Sequence, residues 1–158
     1  MRLLSTYVLI LFSSALFSQQ AGYKFLQNKN QWPSTISYKT ELKNGELYLE
    51  KNGFLFNFYD EKVMDGLISN HYDKSKLPNN PSINQHAYRV NFINMNKGCT
   101  FIHEQPTKEY YNYFIGKDAS KWAENVKGYH QITYSNLYDG IDLKLYSKYF
   151  NLKYDLIV

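Results

Sequence analysis

The sequence is poor in cysteine, which limits both its covalent cross-links and its chemistry. Cys99 is the one cysteine in 158 residues, so no disulfide can form within the chain and stability must come from a packed core. The residues after it, Thr100-Phe101-Ile102, indicate a strand in which Cys99 is a small apolar side chain. The alternative is a catalytic thiol, but His103 would lie about 13 Å away along a strand. We therefore favour packing.

Recognisable metal-binding and catalytic motifs are also lacking. The four histidines are His71, His86, His103 and His130, and none are spaced as H-x-H or H-x-x-x-H. The chain has no G-x-S-x-G element, no P-loop and no glycine-rich dinucleotide fingerprint. Residues 139–142, Asp-Gly-Ile-Asp, carry too few oxygen ligands for a calcium loop and are typical of a turn. The sequence assigns no catalytic, cofactor-binding or metal-binding residue, and it favours a protein that is not an enzyme.

The sequence also lacks a large excess of charge of one sign and, beyond its N-terminus, long apolar runs. The net charge is only +4 and the signs are interleaved, whereas a nucleic-acid partner requires a clustered basic face. We therefore expect no nucleic-acid binding. Beyond the N-terminal leader no apolar run reaches membrane length, so we expect no membrane span after the leader is removed.

The first 20 residues have the layout of a signal peptide. Arg2 is a short basic region, and Leu3 to Phe17 are mostly apolar but too few to span a bilayer comfortably. Ser18 suits the last position before cleavage, although Leu16 is a poor residue two positions earlier. An uncleaved anchor is the alternative. No cysteine follows the apolar run, so a lipoprotein acylation site is absent, and residues 21–158 are interpreted as a single exported β domain.

Aromatic residues make up 18% of the chain, and they favour strands. Alternation predicts a three-stranded meander near residues 36–40, 46–50 and 54–59, with Asn-Gly turns at 44–45 and 52–53. Its last strand carries a stripe of Phe54, Phe56 and Phe58. We expect this stripe to pack in the core, with a ligand groove as the alternative.

The middle of the chain is less regular. Residues 60–82 are predicted to be a surface insertion with one or two helical turns followed by a mobile loop, and strands are expected at 86–93 and 100–103. Pro106 opens a further segment. Asp118 is predicted to cap a one- or two-turn helix that runs through Trp122 and Val126.

The C-terminal residues predict a β-hairpin, preceded by a strand at 129–134 and a turn at Asp139-Gly140. Two registers place the apolar residues of both hairpin strands on one face. One puts Asp142 opposite Asp155. The other pairs Ser147 with Leu152 and puts Lys144 opposite Asp155. Directly opposed like charges destabilise a sheet, so we predict the second register, with residues 148–151 as its loop and Asn151 able to adopt a left-handed conformation.

These elements predict an all-β fold, an antiparallel sandwich-like module of meanders and hairpins with one or two short helices. Val158 stands inside an alternating strand without a turn after it, so we expect the domain to be truncated at its C-terminal end. The alternative is that this strand is the edge of a complete domain.

The chain resembles the N-terminal domain of unknown function found on large secreted proteins of Bacteroidota, with the matching pieces in the same order. The matching pieces cover nearly all of the mature chain: Asn28-x-x-Gln31-Trp32-Pro33, Leu47-x-Leu49-Glu50-x-x-Gly53-Phe54, His86-Ala87-Tyr88-Arg89-Val90-x-Phe92, Asn112-Tyr113-Phe114-x-Gly116, Trp122-x-x-Asn125-Val126, Tyr138-x-Gly140-Ile141-Asp142-Leu143 and Leu152-Lys153-Tyr154-Asp155. Asn30 stands where the family usually has glycine, and asparagine tolerates the left-handed conformation if it is needed there. Asp139 stands where proline is usual.

The resemblance implies an all-β module at the cell surface or secreted, as part of a longer chain. Such proteins often continue into propeller-type or PKD-like repeats and a gliding-motility-associated C-terminal sorting module of type IX secretion. The family has no established catalytic residues. We therefore hypothesise a non-catalytic β module for assembly, presentation or adhesion, whose partners are downstream domains. The alternative is a carbohydrate-binding module that stacks exposed Tyr and Trp on surface glycans.

We predict that the exported protein begins between Gln19 and Tyr23, because the basic and apolar regions end just before this point. N-terminal sequencing of protein recovered from outside the cytoplasm tests this. A mature protein that still begins at Met1 would contradict it.

Overall fold

The computed structural model describes residues 22–60, 64–66, 82–148 and 151–158. Nine strands dominate it: β1 Phe25–Gln27, β2 Ile36–Leu42, β3 Gly45–Glu50, β4 Gly53–Tyr59, β5 Gln85–Asn91, β6 Thr100–Tyr113, β7 Ala123–Tyr138, β8 Ile141–Lys148 and β9 Asn151–Ile157. Every strand pairing is antiparallel, which confirms the all-β class. Within the described residues, no helix is long and apolar enough to cross a membrane.

The 16-residue strand β7 holds the sheet together, because three strands pair with it. The long strand β6 follows it from Thr100↔Ser135 to Tyr113↔Ala123. The opposite side of β7 is divided between two strands. It pairs with β1 near Tyr129 and with β8 from Gln131 onward. The meander β2 to β5 continues outward from β1, and β9 continues outward from β8. The sheet therefore has two wings attached to one long strand.

The sheet curls until the meander wing packs over the other half, which produces the sandwich-like arrangement. Phe54 of β4 lies with its ring centroid 5.9 Å from that of Tyr134 of β7, although three strands separate β4 from β7 in the sheet order. The buried core between the two halves comprises Phe25, Tyr38, Leu47, Leu49, Cys99, Tyr129, Ile132, Tyr134, Leu137, Leu143 and Leu145.

Tyr134 lies at the centre of this core and is fully buried. Its hydroxyl donates to the backbone oxygen of Glu50 at 2.8 Å and lies 3.3 Å from that of Gly53. It therefore provides a hydrogen-bond donor to the backbone oxygens that flank the turn between β3 and β4. Burial, followed by the nearby Cys99 and Glu50, raises the pKa of Tyr134 well above its usual value, so the hydroxyl remains a donor. One side chain thus joins β7 to the tip of the meander.

The predicted meander is confirmed, but its glycines act differently from the expectation. Gly45 and Gly53 begin β3 and β4, and the turns consist of the Lys-Asn pairs before them. A Cβ on Gly45 would lie 2.1 Å from the backbone oxygen of Asn57, and one on Gly53 would lie 1.9 Å from that of Val90. Glycine is required here because neighbouring strands approach too closely for any side chain.

The loop before β2 depends on one asparagine. The side-chain nitrogen of Asn28 donates to the backbone oxygens of Trp32, Pro33 and Ile36, while its side-chain oxygen accepts from the backbone nitrogens of Asn30 and Trp32. Asn30 has φ of 88°, so it does adopt the left-handed conformation that asparagine tolerates.

The predicted hairpin register is confirmed. Lys144 faces Asp155, Tyr146 faces Lys153 and Ser147 faces Leu152, while Asp142 faces Ile157. The predicted four-residue loop is too long, because Lys148 also pairs with Asn151 and only residues 149–150 connect the strands. Asn151 is accordingly the first residue of β9 rather than part of the loop.

The helix predicted from Asp118 through Val126 is wrong. Asp118 does act as a cap, accepting from the backbone nitrogen of Ser120 at 3.0 Å, but the helix it caps is one 3₁₀ turn, Ala119–Lys121. Ala123 and Val126 already belong to β7, where they are buried with Leu26. Their spacing fits a helix as well as a strand, and the pairing with β6 decides in favour of the strand.

Two other expectations for the middle of the chain have different outcomes. The segment from Pro106 is the continuation of β6, with a register shift between Pro106 and Tyr110. Of the predicted helical turns in 60–82, residues 64–66 are helical, and the remainder lies outside the described residues apart from the ends of the segment.

We predict that Tyr134→Phe lowers the free energy of unfolding by about 1–3 kcal/mol, because the backbone oxygen of Glu50 loses a buried donor while the ring is retained. Urea denaturation measures the change. Tyr110→Phe, at a ring that is 58% exposed, is the matched control and is expected to stay within about 0.5 kcal/mol of the wild type. Equal stability of Tyr134→Phe and the control would contradict the central role of the hydroxyl.

Candidate functional site

The structure places Cys99 and His103 in separate environments. Cys99 is buried in the core, and burial raises the pKa of its thiol, with Asp142 adding to the rise and Lys51 opposing it. The His103 ring lies 4.2 Å from that of Tyr129, and its Nδ1 is hydrogen-bonded to the Tyr38 hydroxyl at 3.1 Å. A raised thiol pKa disfavours the nucleophilic thiolate, so this geometry supports the packing role of Cys99.

The other histidines and the acidic turn have structural contacts of their own. His86 lies beside Tyr88, and Nδ1 of His130 is 3.3 Å from the backbone oxygen of Tyr23. Asp142 accepts from the backbone nitrogen of Asn136 at 2.6 Å, next to the turn at 139–140. His71 lies outside the described residues. The part of the chain that the structure describes contains no group of three or more His, Cys, Asp or Glu suited to a metal ion.

The first candidate surface is an aromatic row on β4 and β5. Phe54 forms its inner end and packs edge-on against Phe92 and Tyr134, as predicted for a core residue. Toward the outer end, the Phe56 ring lies 9° from parallel with Phe58 and 15° from parallel with Tyr88. We call Phe56, Phe58 and Tyr88 the aromatic row. Phe56 and Phe58 are half-buried and Tyr88 is exposed, so these rings form the partly open outer part of the stripe.

The second candidate surface is the outermost strand at the opposite end of the sheet. Leu152, Tyr154 and Leu156 pair with Ser147, Leu145 and Leu143, so they continue the core-facing side of β8. Leu143 and Leu145 are buried, whereas Tyr154 is 70% exposed and Leu156 is 61% exposed. We call the three residues of β9 the β9 stripe. Among the described strands, none pairs with its outer edge, since the sheet order ends at β9.

The opposite side of β9 is charged. Lys153 and Asp155 are exposed and project beside Tyr146 and Lys144 of β8. A hydrogen bond to Asp155 raises the pKa of Tyr146. The strand thus presents an apolar side, a charged side and an outer backbone edge, which are the three parts that strand pairing uses.

A third exposed group lies where β6 leads into β7. Trp122 and Phe114 contact each other edge-on with ring centroids 5.7 Å apart, and Ile115 beside them is 76% exposed. The other tryptophan, Trp32, is half-buried and packs edge-on against Tyr113 at 5.5 Å. Of the two tryptophans considered for sugar stacking, Trp122 is the more open, at 44% exposed, and Trp32 is half-buried.

Sequence reasoning located the residues of both main surfaces without showing which of them remain open. Alternation identifies Leu152, Tyr154 and Leu156 as one apolar face, but their exposure depends on what lies above β9 after the sheet has curled. The stacking of Tyr88 on Phe56 depends on the pairing of β4 with β5. A local pattern contains neither piece of information.

Residues 25–158 match a family model described as Domain of unknown function (DUF7948). No curated protein matches the chain, and no solved structure matches it.

Proposed function

We propose that this chain, which belongs to the DUF7948 family of domains of unknown function, is a non-catalytic β module that assembles with other protein through an open sheet edge. The observation that carries this proposal is the β9 stripe. An apolar side that is buried on β8 continues onto β9 and is left largely exposed there. Exposed apolar surface beside a strand edge to which no described strand pairs is the usual setting for strand addition by a partner.

We also propose that the module acts outside the cytoplasm, on a secreted or surface-attached protein. The layout of residues 1–20 supports export, and the residues quoted above support the N-terminal domain of large secreted Bacteroidota proteins. In such a protein the module serves in assembly, presentation or adhesion. Repeats and a gliding-motility-associated sorting module further along the chain are the accompanying expectation, which the downstream reading frame tests.

We expect Tyr154→Ser and Leu156→Ser to weaken retention at the cell surface while leaving the fold intact, because both side chains are mostly exposed in the isolated domain. Cell fractionation and protease shaving of intact cells measure retention, and thermal melting measures the fold. Ile115→Ser removes an equally exposed apolar side chain elsewhere and is the matched control. Stripe variants that are retained as well as the control would refute assembly through β9.

Carbohydrate binding is a second candidate, favoured by the aromatic row. The three near-parallel rings stack on one another, so the ring faces and edges on the outside of this stack are the surface that a sugar ring could meet. The Tyr88 hydroxyl adds a polar group next to the apolar surface. The surface belongs to β4 and β5, at the opposite end of the sheet order from β9, so the two candidate functions can be separated by substitution.

If this second candidate is correct, a glycan array probed with the purified chain will show binding that Tyr88→Ala reduces by tenfold or more. Trp122→Ala tests whether any exposed aromatic gives the same effect, since Trp122 is 44% exposed and Tyr88 is 42% exposed. Binding that both variants reduce equally, or no binding at all, would exclude the aromatic row as a specific sugar site.

A further inference from the structure

The backbone of β9 offers half of its hydrogen-bonding groups to the outside. Lys148 and Asn151 close a connection of two residues, and such a connection is closed by a closely hydrogen-bonded pair. Because the two kinds of pair alternate, Tyr146↔Lys153 and Lys144↔Asp155 are of this kind as well. The backbone groups of Leu152, Tyr154 and Leu156 consequently point away from β8, toward the outer edge.

Residues 152–156 of β9, Leu-Lys-Tyr-Asp-Leu, match a second copy of themselves that runs in the opposite direction with Tyr154 at the centre. Antiparallel pairing with a second copy in this register places Tyr154 opposite Tyr154 and Leu152 opposite Leu156. It also places Lys153 opposite Asp155 twice, once on each side of the two-fold axis. The outward-pointing residues pair with one another, as the hydrogen bonds require, and all apolar side chains lie on one face.

The neighbouring registers lack this complementarity. A shift that keeps the hydrogen bonds must move the pairing by two residues. One such shift centres the pair on Lys153 and opposes two lysines, and the other centres it on Asp155 and opposes two aspartates. Directly opposed like charges destabilise a strand pair, so the charges select the register about Tyr154.

The outer strand β5, at the other end of the sheet order, does not offer the same match. Reversing β5 about Tyr88 places Arg89 opposite Ala87 and His86 opposite Val90, so no opposite charges meet. Arg89 is already bound within the chain, since its Nε and a terminal nitrogen donate to the Glu50 carboxylate at 2.8 and 3.1 Å. The self-complementary match is therefore present in β9 and absent from β5.

We propose that two copies of this chain associate through β9, in antiparallel register about Tyr154, to form one sheet that is continuous across a two-fold axis. The proposal rests on the proposed function and names the assembly partner as a second copy. In the dimer, Asp155 lies between Lys144 of its own chain and Lys153 of the other copy. The two β9 stripes adjoin and form one apolar surface around the Tyr154 pair.

The test uses charge exchange between copies of the purified, processed chain. Sedimentation velocity over a roughly hundredfold concentration range should show the wild type in monomer–dimer equilibrium. Lys153→Glu and Asp155→Lys each place like charges opposite one another at two positions of the dimer. Each should therefore raise the dimer dissociation constant about tenfold or more. An equimolar mixture of the two variants restores both opposite-charge pairs and should dimerise as the wild type does. Lys108→Glu, an exposed reversal on β6, controls for net charge.

Asp155→Lys also removes the pairing with Lys144 inside the chain, so melting curves must accompany it. Tyr154→Pro provides a variant that does not depend on charge. Its missing N–H points away from β8, so it should keep the fold while abolishing the dimer, whereas Tyr154→Thr should retain measurable association. Dimerisation of Tyr154→Pro at wild-type strength would overturn the proposal.

The outcomes separate this proposal from the proposed function. A wild type that remains monomeric, together with stripe variants that lose surface retention, would refute self-pairing and leave assembly with a different strand intact. A monomeric wild type whose stripe variants are fully retained would refute both. Open-ended oligomers would indicate that β9 pairs with β5 of the next copy, and they too would refute the two-fold arrangement.

Discussion

The hydrogen bond from the Tyr134 hydroxyl to the Glu50 backbone is the contact on which the two halves of the sheet depend. It joins the long strand β7 to the turn at the far side of the meander, across the core rather than along the sheet. The ring packs against Phe54, Phe92 and Phe101 from strands or loops on both sides of the curl. A phenylalanine would fill the same volume and keep these ring contacts, but it would leave the backbone oxygen of Glu50 without its buried donor.

The division of β7 explains why the sheet has open ends. Its 16 residues pair with β6 along their length and with β1 and β8 in succession, so the wings diverge instead of closing into a barrel. Each wing then ends in an outer strand, β5 or β9, whose core-facing side is only partly covered. Closure into a barrel would have paired the edges of β5 and β9. The candidate surfaces are thus a direct consequence of the topology.

Much of this fold follows from local patterns in the sequence. The three-stranded meander, the hairpin register and the cap at Asp118 were predicted from alternation, opposed charges and turn chemistry, each of which acts between near neighbours. The full lengths of β6 and β7 were not, because Pro106 interrupts the pattern and the pairing partner lies far along the chain. The helix assigned to residues 118–126 failed for the same reason. At the candidate surfaces, the sequence identified the faces, while their exposure followed from the curl.

The pairing of β1 with β7 also determines the order in which the chain can fold. Phe25 lies opposite Tyr129, so this contact closes a loop of about a hundred residues, and loop closure must precede any energy gained from the core. The meander can form from neighbouring residues as soon as they have been synthesised. It cannot acquire its buried side until β7 arrives, and during that interval its apolar face has only solvent to meet. Folding of this domain is therefore expected to be slow and to need protection from aggregation until residues 123–138 have emerged.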